Sequence, residues 1–213
     1  MATLNSYRDV LTLRRVIPDL PIFRAAHRAL KQYLTAQGLS EARFGFLGGF
    51  HLTLLLTRVA LTLPHDARPH HLVRHFFKTY SEWNWERDMV YPIPNRGESG
   101  YRRTHKEPIV VLSIEKPLSN LTFHASSHSL RTMVHAFTRA EGMLNENKSW
   151  EDVCGLSSSP EQTFLSNYKV FIRLDVHYWG NSSLQGRELI GWLESRIVSV
   201  SGSFVDDDQL MSR

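Results

Sequence analysis

Only one cysteine, Cys154, stands among the 213 residues. A single thiol excludes an internal disulfide framework and fits a reducing compartment. No cysteine-centred motif surrounds it, so an inert buried thiol is expected rather than a nucleophile. Secretion is not expected either: the stretch MATLNSYRDVLTLRR has no apolar core of signal-peptide length and carries Asp9. Without entry into the secretory route, the sequons at Asn120, Asn147 and Asn181 read as chance matches. No clean membrane-length apolar run is present either. The nearest, residues 44–63, holds His51 and Arg58, and a centred arginine costs about 3 kcal/mol on insertion scales, so a buried helix and no membrane partner are expected. No internal repeat is visible.

What is present suits a folded domain. Hydrophobic residues make up 42% of the chain, enough for a core, and a net charge of +4 with a pI near 9.3 leans modestly toward a polyanionic partner such as RNA or DNA. The most informative stretch is FGFLGGFHLTLLLTR, residues 44–58. Gly48 and Gly49 interrupt an apolar run and open directly into a helical pattern. A glycine pair lets a backbone come close to a neighbour or a ligand, and the helix start behind it offers unpaired amides and a partial positive charge. Tight packing and a nucleotide site both fit this pattern.

Periodicity predicts helices on either side. Pro21 lies in the first turn of one that runs to about Gln37, with Phe23, Ala26, Leu30, Tyr33 and Leu34 inward and Gly38 ending it. Arg24, Arg28 and Lys31 share a different face, which a solvated charged surface explains as well as a binding role. Further helices are expected over residues 50–63, stopped by Pro64, and over 69–83, with Leu72, Val73, Phe76, Phe77 and Tyr80 inward. His71 and His75 have the i, i+4 spacing of metal ligands, but no third ligand stands nearby in sequence.

Prolines and glycines then crowd residues 91–117, predicting a long surface excursion. Its cluster Tyr101, Arg102, Arg103, His105 and Lys106 suits either RNA phosphates or plain solvent. A helix returns with Leu130, Met133, Val134, Phe137, Ala140 and Leu144, capped by Ser126 or Ser129. Residues 168–177 alternate strictly between apolar and polar, which predicts a strand, and a helix over 184–199 follows. One strand and one helix cannot bury each other, so this piece reads as the start of an α+β domain.

The order FRAAHRALKQYL, FGFLGGF, HFFKTYSEWNW, SSHSLRTMVHAFTRAE, GWLESRI resembles the eukaryotic poly(A) polymerases, collinearly over nearly the whole chain. The resemblance implies a mainly α fold. Residues 1–18 would be the tail of a nucleotidyltransferase domain, 19–155 a helical central domain, 156–160 a linker, and 161–213 an incomplete RNA-recognition-motif-like α+β piece. Family members transfer AMP from ATP to RNA 3′ ends, using Mg²⁺ or Mn²⁺ held by three aspartates of the nucleotidyltransferase domain. None of those aspartates matches this sequence, so the resemblance implies no catalytic residue and no metal held by this chain. Asp206, Asp207 and Asp208 read as a solvated tail.

In the family the central domain closes over ATP with a lysine, a tyrosine, an asparagine and a Gly-Gly-hydrophobic step. Lys31 matches the lysine, and Gly48, Gly49 and Phe50 match the step. Ser40 stands where the tyrosine is expected and Ala42 where the asparagine is, which removes stacking area and hydrogen bonds each worth about 1 kcal/mol or more. The resemblance also gives Arg24 and Arg28 a phosphate-facing alternative and makes Trp83 and Trp85 packing residues. It implies RNA, ATP and 3′-end processing proteins or a catalytic domain as partners, and a nuclear address. A non-catalytic RNA-binding module, using Arg24, Arg28, Lys31, Arg102, Arg103 and Lys106, and a structural remnant remain as alternatives.

Overall fold

The computed structural model describes residues 2–64, 66–94, 100–157, 173, 175–180 and 182–207. They fall into two compact units, Met1–Ser158 and Ser159–Arg213. The first is helical: α1 (Ala2–Val16), α2 (Leu20–Ala36), α3 (Gly49–Thr62), α4 (Pro69–Ser81), α5 (Ser127–Asn145) and α6 (Trp150–Cys154). No described helix is long and apolar enough to cross a membrane.

Local chemistry sets each helix. Asp19 caps α2 by accepting from the Ile22 amide at 2.9 Å, with Pro21 in the first turn. Ser126 and Ser129 cap α5 reciprocally: Ser129 N donates to Ser126 Oγ at 3.1 Å and Ser126 N to Ser129 Oγ at 2.9 Å. Pro64 follows the end of α3 and Pro69 opens α4. The predicted inward faces of α2 and α4 are buried, residue for residue. Their aromatics interlock: Tyr33 meets Phe77 edge to face at 4.9 Å, and Phe76 meets Phe137 of α5 at 5.6 Å. Both buried tyrosine hydroxyls have partners, Tyr33 on the Ala136 carbonyl at 2.7 Å and Tyr80 on the Leu55 carbonyl at 2.9 Å. Burial raises both phenols above their usual range.

Within residues 91–117 the stretch 109–114 differs from the expected surface excursion, while Arg102, Thr104, His105 and Lys106 are exposed. Val90, Ile109, Val110, Val111, Leu112 and Ile114 are buried. Consecutive apolar residues need two covered sides, and isolated bridges between Val90 and Val111 and between Leu112 and Asn120 supply backbone partners that a surface loop would take from water. Asn120 carries one of the sequons, yet its amide donates inward, to Glu107 Oε1 at 2.9 Å and the Ile109 carbonyl at 3.1 Å. Helix α1 packs in this same unit. Leu13 and Ile17 join the core, and the buried Asp9 accepts from the Ile114 and Glu115 amides at 3.2 and 2.8 Å.

In the second unit the predicted helix is present as α7 (Ser183–Asp207) and runs through Asp206 and Asp207, where a tail was expected. Leu184, Ile190 and Trp192 on it are exposed, and the Arg196 guanidinium lies 5.5 Å from the Trp192 ring. The predicted strand lies largely outside the described residues, as do Asp208 and part of the predicted linker; Arg173, Asp175 and Val176 are described and carry no strand pairing.

Candidate functional site

The three glycines of the FGFLGG run have different jobs. Gly45 adopts φ +83°, and a Cβ there would lie 2.8 Å from the His124 carbonyl and 2.9 Å from Ser129 Oγ. Packing and backbone both demand glycine at that point. Gly48 is nearly extended at φ −70°, ψ 167°, and a Cβ would meet only Ala42 Cβ within 3.4 Å, at 3.3 Å. Gly49 opens α3, is exposed, and a Cβ there would meet nothing within 4 Å. The protein's own packing therefore gives no reason for glycine at position 49, and the space in front of it is open.

The helix start at this point keeps donors in reserve. The first intrahelical bond runs from Leu52 N to Gly48 O at 3.0 Å, leaving the Gly49, Phe50 and His51 amides ahead of the ladder. The Gly48 amide is already taken, donating to His51 Nδ1 at 3.2 Å. Burial lowers the pKa of His51, while the carbonyls of Phe46 and Leu121 pull it back up. Phe50 is half-buried and packs against the core.

Helix α2 crosses beside this opening. Its half-buried His27 places Nε2 3.1 Å from Thr53 Oγ1 and 3.4 Å from the Gly49 carbonyl, and Thr53 Oγ1 donates to that same carbonyl at 2.9 Å. One turn on stands Lys31, close enough to His27 for its charge to lower the imidazole pKa. Arg24, Arg28 and Lys31 are all exposed, and no ion pair among the described residues engages them. Arg28 and Lys31 also border an open hollow of about 460 Å³ with Gln32, Thr35 and Leu156. Lys31 thus stands one turn from the His27 that reaches the Gly49 carbonyl, and Arg24 and Arg28 range along the same exposed side of α2. Sequence reading missed His27 and Thr53. Their signal was spacing alone, four residues before Lys31 and four after Gly49.

Residues 40 and 42 sit on the short turn leading to the step. Ala42 opens a single 3-10 turn, Ala42–Phe44, and its methyl is the neighbour of Gly48. The turn that carries Ala42 thus packs directly on Gly48.

The basic cluster of the second loop divides. Arg103 is absorbed: its guanidinium donates to the carbonyls of Glu107 at 2.9 and 2.7 Å, Glu86 at 2.9 Å and Pro108 at 2.9 Å. Arg102 and Lys106 are exposed. The organiser is Glu107, which accepts from Tyr101, from Thr104 N at 2.8 Å, from Thr104 Oγ1 at 3.0 Å and from Asn120. Desolvation pushes its carboxyl up, but those donors together outweigh it and hold the pKa at about 2.

A second concavity of about 430 Å³ lies between α4 and α5, with Leu63, Ala67 and Leu144 in its lining and Arg74, Lys78 and Glu141 among its charges. The His71/His75 pair borders it, but His71 Nδ1 accepts the Arg68 amide at 3.1 Å. The described residues include no group of three or more His, Cys, Asp or Glu able to hold a metal. Burial pushes the Cys154 thiol up to about 11, far from nucleophile range. Trp85 is buried and donates to the Tyr80 carbonyl at 3.2 Å, while Arg58 lies 4.9 Å from the Trp83 ring and donates to the Tyr91 carbonyl.

Fold and site together define a helical module that sets a basic helix beside an open, glycine-started helix end, an arrangement suited to anionic ligands. The family follows from comparison: the profile of the poly(A) polymerase central domain matches residues 22–154, and the chain belongs to that family. It is 27% identical over 209 residues to nuclear poly(A) polymerase 1 of Arabidopsis thaliana, covering 92% of this chain and 28% of that protein. Nuclear poly(A) polymerase 4 of the same plant is 28% identical over 208 residues, covering 91% of this chain and 27% of that protein. The poly(A) polymerase of Dictyostelium discoideum is 26% identical over 204 residues, covering 92% and 24%. The chain spans about a quarter of the length of these relatives.

Proposed function

We propose that this chain supplies the nucleotide-facing and RNA-facing central module of a poly(A)-polymerase-like nucleotidyltransferase acting in nuclear mRNA 3′-end processing. The observation that carries the reading is Gly49: exposed, unpacked, at a helix start, and linked through His27 to the helix that bears Lys31. In this reading the unpaired amides of Gly49 and Phe50 and the Lys31 ammonium receive the phosphates of ATP, since charge-assisted bonds to an anion are the strong ones. Arg24, Arg28, Arg102 and Lys106 supply diffuse attraction for the RNA backbone. The metal-assisted AMP transfer of the family is routed through no residue described here. Residues 161–213 are assigned to the opening of an RNA-recognition-motif-like unit, supported by the alternating stretch 168–177 followed by α7. The nuclear assignment is supported by the names of the plant relatives.

The test is calorimetric titration of the 213-residue chain with ATP, and with oligo(A) over a range of salt. Losing one charge-assisted contact is worth about 1.5–3 kcal/mol, so Lys31→Ala weakens ATP binding by roughly 10- to 100-fold while leaving the melting curve unmoved. RNA affinity falls with salt at a log–log slope of about 0.7 per neutralised phosphate. Equal ATP affinity for wild type and Lys31→Ala sinks the nucleotide reading. A salt slope with no ATP binding favours the alternative of a non-catalytic RNA-binding module.

A further inference from the structure

The contacts around His27 favour one tautomer. Thr53 Oγ1 spends its hydrogen on the Gly49 carbonyl at 2.9 Å, so toward His27 both that oxygen and the carbonyl can only accept. The tautomer with the hydrogen on Nε2 shares it between these acceptors at 3.1 and 3.4 Å, whereas the other would set a ring lone pair against the Gly49 carbonyl. The imidazole's other nitrogen, Nδ1, is left as its basic site, with no hydrogen bond among the described residues. This arrangement clamps the first turn of α3 to α2 at one point, the carbonyl of the residue that opens the helix.

We propose that His27 is a positioning residue of the glycine step: its Nε2–H, shared between Gly49 and Thr53, fixes the Gly49–Phe50 amides at the level of Lys31. A proton added at Nδ1 brings positive charge to that same edge. The inference rests on the nucleotide reading for what the step receives, but the clamp itself is a property of the free chain.

The surroundings of His27 set the direction of any coupling. On its own helix Arg24 and Lys31 lie about one turn before and after it, and Lys31 is the charge that acts on it. Helix α3 presents the Thr53 hydroxyl, the Gly49 carbonyl and, in its first turn, His51. Helices α4 and α6 meet α2 on its Tyr33 side, through Phe77 and Trp150. Burial first, then Lys31, keep the imidazole neutral below its ordinary range, against the pull of the Gly49 carbonyl. An arriving polyphosphate reverses the local charge and favours the imidazolium. Binding then takes up a proton and strengthens as pH falls from the bound-state pKa to the free-state pKa.

Two measurements test this. In the free chain, ¹⁵N-resolved pH titration of wild type shows the Gly49 and Phe50 amides shifting with the His27 midpoint. In His27→Gln, whose side-chain amide still donates to a carbonyl but does not titrate, that component is lost and only the shift that follows the neighbouring His51 remains. Amides in wild type that ignore His27 overturn the clamp, whether or not ATP binds. With ATP as the probe, calorimetry in two buffers of different ionisation heat gives proton uptake for wild type in excess of that for His27→Gln, a comparison that cancels ATP's own titration. His27→Leu, checked for an unchanged melt, binds roughly tenfold more weakly, and His27→Gln restores most of that loss. Equal affinities for wild type and His27→Leu overturn the proposal. Coupled amides with no ATP binding leave the clamp standing and sink the nucleotide reading instead.

Discussion

Alanine at Gly45 and alanine at Gly49 sit four residues apart in one glycine-rich segment, and the structure predicts opposite outcomes. At Gly45 the backbone is left-handed, at φ +83°, which costs an L-residue about 1 kcal/mol. The new methyl also meets the His124 carbonyl at 2.8 Å and Ser129 Oγ at 2.9 Å. One of those is backbone at the approach to α5, so relief requires main-chain movement, which overpacking measurements put at about 1–3 kcal/mol. Gly45→Ala should therefore lose about 2–4 kcal/mol, a large part of a typical domain's stability. At Gly49 the methyl meets nothing within 4 Å and the backbone is not left-handed. Ala is the better helix former, so Gly49→Ala should lie within about 0.5 kcal/mol of wild type or slightly above it. Urea unfolding followed by tryptophan fluorescence, with the slope checked for constancy, reads both. The reasoning fails if Gly49→Ala costs as much as Gly45→Ala, or if Gly45→Ala is silent. The stable Gly49→Ala chain is then the clean reagent for ATP titration, where its methyl obstructs the approach to the amides and weakens binding.

Other predictions concern single contacts. Tyr33→Phe deletes the buried hydroxyl on the Ala136 carbonyl and should cost about 1 kcal/mol, read by the same unfolding curve. Glu107→Gln should loosen the loop that carries Arg102 and Lys106, seen as faster amide exchange over residues 101–107 and earlier proteolytic cleavage there. Because the Glu107 pKa is depressed to about 2, its contribution is present above the ordinary carboxylate value of 4.5 and is lost as pH falls through the folded value. His27 and His51 both have lowered pKa values in the fold, so the unfolded chain binds protons first. Stability should be full above the ordinary value of 6.5 and decline as pH falls toward their folded values. A melting temperature flat from pH 7.5 to pH 5 in wild type, with no difference in a His27→Gln/His51→Gln chain, would refute that.

Much of the fold was legible because helix signals are local. Proline at a first turn, a serine or aspartate cap and a 3.6-residue apolar stripe act within a few residues of one another, so α2, α4 and α5 could be read off with apolar faces and α3 as a buried helix stopped by Pro64. The stretch 109–114 was not legible, because its burial depends on Val90, Asn120 and Asp9, which are far away in sequence. Arg103 shows the same limit at the candidate site. By type and neighbours it matched Arg102 and Lys106, yet its guanidinium is spent on three backbone carbonyl groups that only the folded loop brings around it.

By itself the sequence determined that the chain is helical, that its basic residues line one exposed side of α2, and that a Gly-Gly step opens α3, since these follow from periodicity and side-chain type. The tertiary structure decided which glycine serves packing and which faces open space. It also decided that His27 and Thr53 tie the two helices together at Gly49, because a hydrogen bond between residues 22 positions apart exists only once α2 and α3 lie side by side.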